Sequence, residues 1–110
     1  MAKIWNAKMS ELKDYITIEK EIDECLEKTA MKFYSDFYIG ITDNIEHCLF
    51  TKHHVSKDTS WWLYRTAIDD DIARSVENHY LELGMRGDNK DENDKGNIVY
   101  CYAVSSNTID

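Results

Sequence analysis

The sequence lacks any apolar run that approaches the roughly 20 residues needed to cross a bilayer. Its first residues, MAKIWNAKMSELKDY, are charged and aromatic where a signal peptide is apolar. These two absences predict a cytoplasmic protein with no membrane partner. The three cysteines, Cys25, Cys48 and Cys101, are an odd number at unrelated spacings, so we expect reduced thiols and no disulfide framework.

Positive charge is in the minority and is dispersed. The 110 residues include 13 basic and 21 acidic ones, which gives a formal net charge of -8. Such a chain repels a polyanion at long range unless its basic residues cluster, and in the sequence they alternate with Glu and Asp. Nucleic acid is therefore disfavoured as a partner, and a protein with a basic or neutral surface is favoured. A glycine-rich phosphate loop is also absent, so nothing indicates a nucleotide ligand.

One domain with one core is expected from this length and from 43% hydrophobic residues. From Thr17, a predicted N-cap, apolar residues recur at helical spacing up to Phe33. A short lead-in helix is predicted to start at Ser10. We interpret residues 1–34 as an N-terminal helical extension and residues 35–104 as the core.

Within the core, strands and helices alternate. Aromatic and β-branched residues predict a strand over Phe37 to Thr42, and Thr42 or Asp43 is a predicted N-cap for a second helix that ends near His53. A second strand is predicted at 61–66, where one of two adjacent tryptophan rings should face the core and the other a helix, a partner or water. The fold class predicted is α/β (α+β), with a small, mostly antiparallel three-stranded sheet and helices packed on it.

The last third is predicted to hold a helix, a loop and a strand. Asp69, Asp70 and Asp71 suit the first turn of a helix, and Gly84 suits its end. Residues 84–97 are predicted to be a mobile acidic loop, in which no EF-hand frame fits. An apolar run from Ile98 to Val104 predicts the final strand.

The triplet Tyr38-Ile39-Gly40, followed by helix, strand and helix, resembles the core of the GIY-YIG endonuclease superfamily over residues 37–83. Tyr38 and Gly40 match the tyrosine and glycine of "YIG". The resemblance implies that Glu77, in ARSVENHYLE, is the metal ligand, with Mg as the cofactor if the chain is active. Cys48 stands where the family carries the arginine that neutralises the scissile phosphate, and a thiol cannot supply that planar, permanently charged donor.

The resemblance needs a further strand and a replacement arginine. The family's "GIY" strand is absent upstream, but GNIVYCYAV resembles it and would pair beside residues 37–42 as a permuted element. Tyr100 would then take the role of the general-base tyrosine. Arg74, one helical turn before Glu77, and Arg65, at a strand end, are the candidates for the missing arginine. The structural alternatives are surface ion pairs for both arginines and a solvated position for Glu77.

Three functions remain open. In the first, the chain is a divergent, catalytically impaired GIY-YIG-like domain that acts as a small acidic binding or regulatory protein without a cofactor. In the second, it is an active metal-dependent nuclease or phosphodiesterase, which requires Tyr38, Glu77 and an arginine to converge on one cleft. In the third, it is an unrelated small α/β protein.

Overall fold

The computed structural model describes residues 12–31, 33–87 and 96–110. In chain order these form α1 (Tyr15–Glu27), β1 (Phe37–Thr42), a π-helical segment (His47–Lys52), β2 (Trp62–Thr66), α2 (Asp70–Leu83) and β3 (Ile98–Ala103). The three strands make one antiparallel sheet in the order β1-β3-β2. The predicted fold class, helices on a small antiparallel three-stranded sheet, is confirmed.

The last strand lies in the middle of the sheet. β3 pairs with β1 so that Gly40 is opposite Tyr100, and it pairs with β2 so that Leu63 is opposite Cys101. The prediction that the strand near residue 98 lies beside residues 37–42 is therefore confirmed. The other edge of β1 is also covered, because Ile39 N–H donates to the carbonyl of Arg86 at 2.8 Å.

The first helix starts earlier than predicted. Asp14, and not Thr17, is the N-cap, and its carboxylate accepts a hydrogen bond from Thr17 N–H at 2.9 Å. Residues 12–14 are not helical, because Lys13 forms a parallel bridge with Ala67 that ties the chain to the end of β2. The predicted lead-in helix is thus wrong for residues 12–14, and its start at Ser10 lies outside the described residues.

The second predicted helix is present as a π-helical segment. His53 N–H donates to the carbonyl of Cys48, five residues earlier, at 3.0 Å. This wider turn still buries Cys48 and Leu49, as the apolar spacing indicates. Helix α2 follows the prediction closely, with Asp69 as the N-cap and Gly84 in the left-handed region at φ 115°. Most of the predicted acidic loop, residues 88–95, lies outside the described residues.

The sheet separates two packed clusters because strand side chains alternate between its faces. We call the face that α1 and α2 cover the helix face; its cluster includes Ile18, Ile22, Ile39, Val76, Tyr80, Val99 and Cys101. We call the other the tyrosine face; its cluster is Tyr38, Ile45, Cys48, Leu49, Val55, Tyr100 and Tyr102.

The adjacent tryptophans fall on opposite faces, as predicted. Trp61 packs on the helix face against Phe37, with ring centroids 5.1 Å apart, and Trp62 packs on the tyrosine face against Phe50 at 5.3 Å. Both rings are half-buried. Neither helix within the described ranges has the length and apolar character needed to cross a membrane.

Candidate functional site

Three tyrosines and one histidine form the centre of the tyrosine face. Tyr38 on β1 stacks on Tyr102, its cross-strand partner on β3, with ring centroids 5.2 Å apart. Its ring also lies 6.2 Å from that of Tyr100 and 4.8 Å from that of His53. The structure therefore brings together Tyr38 and Tyr100, the two tyrosines that the permuted arrangement requires.

The glycine of the triplet has a packing reason. A Cβ atom at Gly40 would overlap the hydroxyl of Tyr100 and would lie 2.5 Å from its Cζ atom and 2.8 Å from its Cε2 atom. The ring of Tyr100 thus lies across the β1 backbone at the one residue that has no side chain. Gly40 is needed here to admit the aromatic ring from the neighbouring strand.

His53 connects the tyrosines to the chain near residue 109. Its Nδ1 atom lies 2.6 Å from the carbonyl oxygen of Ile109, which can only accept, so Nδ1 carries the proton. Nε2 is then the acceptor for the Tyr100 hydroxyl at 2.9 Å. The Tyr102 hydroxyl donates to the same Ile109 carbonyl at 3.2 Å, and Ile109 N–H donates to the His53 carbonyl at 2.8 Å.

Burial of the cluster disfavours the charged forms of His53 and Tyr100. Burial lowers the pKa of His53, although the hydrogen bond to Ile109 acts in the other direction. Burial, followed by the nearby Cys48, raises the pKa of Tyr100 far above the usual range of a phenol. A general base must lose its proton near the working pH, and Tyr100 is held in the protonated form.

Sequence reasoning missed His53 as a member of this cluster. The residue stands in a polar stretch next to a second histidine, and its neighbours in sequence give no periodic signal. Its partners are 47 and 56 residues away along the chain. Only the tertiary structure shows that His53 is 1% exposed and hydrogen-bonded on both ring nitrogens.

The predicted metal ligand lies on the other side of the sheet. Glu77 is on α2, which packs on the helix face, and it is 3% exposed, so the alternative of a solvated glutamate is wrong. The buried arc of α2 is wide, because the helix contacts both the sheet and α1. Arg74 is on the same helix and is exposed.

Arg65 is an ion-pair partner, as the structural alternative predicts. Its Nε donates to the carboxylate of Glu21 on α1 at 2.6 Å, and Lys13 Nζ lies 3.2 Å from the second oxygen of that carboxylate. Burial by itself raises the pKa of Glu21, but the hydrogen bonds from Arg65 and Lys13 outweigh it, and the pKa is lowered. Arg65 thus connects β2 to α1 on the helix face.

The five candidate residues are therefore divided by the sheet. Tyr38 and Tyr100 lie on the tyrosine face. Arg65 contacts α1, and Arg74 and Glu77 belong to α2, both of which pack on the helix face. In the described part of the chain, no group of three or more His, Cys, Asp and Glu side chains is placed to hold a metal ion. The set that a metal-dependent nuclease needs does not line one cleft.

A separate open cleft lies where α1 ends and the chain turns into β1. We call it the α1 cleft. It has a volume of about 360 Å³ and is lined by Asp23, Leu26, Glu27, Met31, Phe33, Tyr34 and Phe37. Phe33 is 67% exposed, Met31 42% and Tyr34 39%, so three large apolar side chains meet solvent within four residues of chain.

A hydrogen bond from the buried Tyr80 fixes one carboxylate of the α1 cleft. The hydroxyl of Tyr80, a fully buried residue of α2, donates to Oδ1 of Asp23 at 2.7 Å and lies 3.0 Å from the carbonyl of Glu19. Burial and then the contact with Asp23 raise the pKa of Tyr80, so its hydroxyl stays a donor. The side chain of Asp23 is consequently held in one orientation by Tyr80.

Comparison with known proteins returned no relative. No family model, no curated protein and no solved structure matches the chain.

Proposed function

We propose that the chain is a divergent GIY-YIG-like domain that acts by binding a protein and not by catalysis. The observation that carries this proposal is the position of the candidate groups on two faces of one sheet. A phosphodiesterase of the implied kind needs a tyrosine, a metal-binding glutamate and an arginine around the same phosphate. Here the sheet lies between Tyr38 and the helix that carries Glu77.

Two further features support a non-catalytic role. Tyr100 is 3% exposed, and its hydroxyl donates to His53, so it is neither accessible to a substrate nor inclined to lose its proton. Arg65, one of the two candidates for the arginine that neutralises the scissile phosphate, already forms an ion pair with Glu21. A buried tyrosine and a neutralised arginine stabilise the fold, and both would have to be released before they could act on a phosphate.

The proposed GIY-YIG relationship rests on how the strands are paired. β1 carries the triplet, β3 pairs beside it in the way a permuted "GIY" strand would, and Tyr100 faces Gly40. These features support a common architecture, while Cys48 in place of the arginine supports the loss of activity.

The net charge supports a protein partner. With a formal charge of -8, the chain attracts a basic surface at long range and repels DNA and RNA. Exposed apolar side chains next to carboxylates add a short-range contribution that a polyanion could not use.

Cleavage assays test the proposal directly. Labelled single- and double-stranded DNA and RNA are incubated with the chain and Mg²⁺ or Mn²⁺, and wild type is compared with Glu77→Gln. Glutamine is chosen because it keeps the volume of a buried side chain. We expect both proteins to be inert. Metal-dependent cleavage by wild type that is lost in folded Glu77→Gln would overturn the proposal.

A further inference from the structure

We propose that the α1 cleft is the docking site for a basic segment of the partner, in which one bulky apolar side chain is flanked by lysine or arginine. The inference rests on the proposed function, since it takes the partner to be a protein. It assigns that function to one surface and specifies the chemistry of the segment that fits it.

Large apolar side chains of the α1 cleft are exposed to solvent. Phe33, Met31 and Tyr34 present large apolar surfaces to water, and the buried ring of Phe37 lies among the lining residues. Side chains of this size are typical anchors of protein interfaces, where a partner's apolar side chain removes them from water. The cleft volume of about 360 Å³ has room for such a side chain.

The charged side chains that line the cleft, within the described residues, carry one sign of charge. Asp23 and Glu27 are the charged residues among the described lining residues, and both are acidic. Tyr80 already orients Asp23, so little side-chain entropy is lost when Asp23 binds a cation of the partner. The exposed rings of Phe33 and Tyr34 also attract a cation through their faces. Lysine or arginine beside the apolar anchor therefore satisfies both features of the cleft.

Other occupants fit less well. A second copy of this chain carries the same formal charge of -8, and it would bring carboxylates toward carboxylates. An acidic peptide or a nucleic acid meets the same repulsion. A purely apolar ligand would leave Asp23 and Glu27 with their charge uncompensated beside a covered surface.

The test uses the full chain and three fluorescein-labelled peptides. The probe has one Trp flanked on both sides by Lys and Ser, the first control replaces Trp with Ser, and the second replaces every Lys with Glu. Binding is measured by fluorescence anisotropy at near-physiological ionic strength and is located by ¹H–¹⁵N NMR. We expect only the Trp-and-Lys peptide to bind saturably, with shifts at the α1 cleft.

Three variants locate the site. Phe33→Ser removes an exposed anchor and is expected to weaken binding about tenfold, a loss somewhat smaller than that of a full interface hot spot. Glu27→Lys reverses a lining charge and should weaken it by several-fold. Glu24→Lys makes the same change at an exposed position of α1 that does not line the cleft, and it is expected to stay within about twofold of wild type.

Several results would overturn the cleft assignment. These are equal affinity of wild type, Phe33→Ser and Glu27→Lys, shifts that map to another surface, preference for the acidic peptide, concentration-dependent self-association that is lost in Phe33→Ser, or no binding of the probe. None of them bears on the non-catalytic part of the proposed function, which the cleavage assay tests separately. Cleavage that depends on Glu77 would overturn the proposed function and leave the peptide result as it stands.

Discussion

Replacing Gly40 with alanine is expected to lower the free energy of unfolding by about 3 kcal/mol, the upper part of the usual range for overpacking a core. The new Cβ atom would overlap Tyr100, which is held by its hydrogen bond to His53 and cannot move aside easily. Gly40 is not among the glycines with positive φ, so the alanine backbone itself is unstrained. Urea denaturation followed by circular dichroism measures the change.

Tyr100→Ala supplies the matched control for this prediction. In that background the ring is gone, and the added methyl group at Gly40 should cost less than about 1 kcal/mol, because alanine also restricts the unfolded chain. An equal cost of Gly40→Ala with and without the Tyr100 ring would contradict the packing explanation.

Removing the imidazole of His53 is expected to cost about 3 kcal/mol at neutral pH. His53→Ala leaves a void in the tyrosine face and takes away the acceptor of the Tyr100 hydroxyl and the donor to Ile109. His47→Ala, at an exposed position of the π-helical segment, is the control and should change stability little. Similar midpoints of unfolding for the two variants would contradict the network.

The same histidine gives a pH dependence of known sign. Burial lowers the pKa of His53 in the folded chain, whereas the unfolded chain titrates near the ordinary value of 6.5. Below pH 6.5 the unfolded state binds a proton that the folded state does not, so protonation favours unfolding. The contribution of neutral His53 to stability is therefore complete above pH 6.5 and is lost as the pH falls toward the pKa of the folded state. We expect the midpoint temperature of thermal unfolding to decrease as the pH is lowered from about 7.5 to about 5.5. His53→Gln, which does not titrate, should lose most of that slope.

Much of the fold is local and was therefore predictable. The strand at Phe37–Thr42 follows from its aromatic and β-branched residues, and α2 follows from Asp69 as a cap and Gly84 as a stop. The start of α1 was not predictable in the same way. Thr17 and Asp14 are both good caps, and the bridge between Lys13 and Ala67, a tertiary contact, selects Asp14.

The candidate site was predictable only in part, because it depends on register and on which face the helices cover. Sequence placed Tyr38 and Tyr100 on neighbouring strands, and the register puts them on one face. The sequence does not encode locally which face α2 covers, so the separation of Glu77 from the tyrosines appears only in the structure. The same holds for His53, whose partners are distant along the chain.

The separation of the candidate groups by the sheet is tested most directly by titration with Mg²⁺ followed by NMR chemical shifts. A diamagnetic ion bound by Glu77 shifts mainly the signals of groups close to it, so a nuclease-like site would shift Glu77, Tyr38 and Tyr100 together. We predict no saturable shift shared by the two faces of the sheet, and the same Mg²⁺-induced changes in wild type and in Glu77→Gln. Saturable shifts of all three residues, abolished by Glu77→Gln, would contradict the separation.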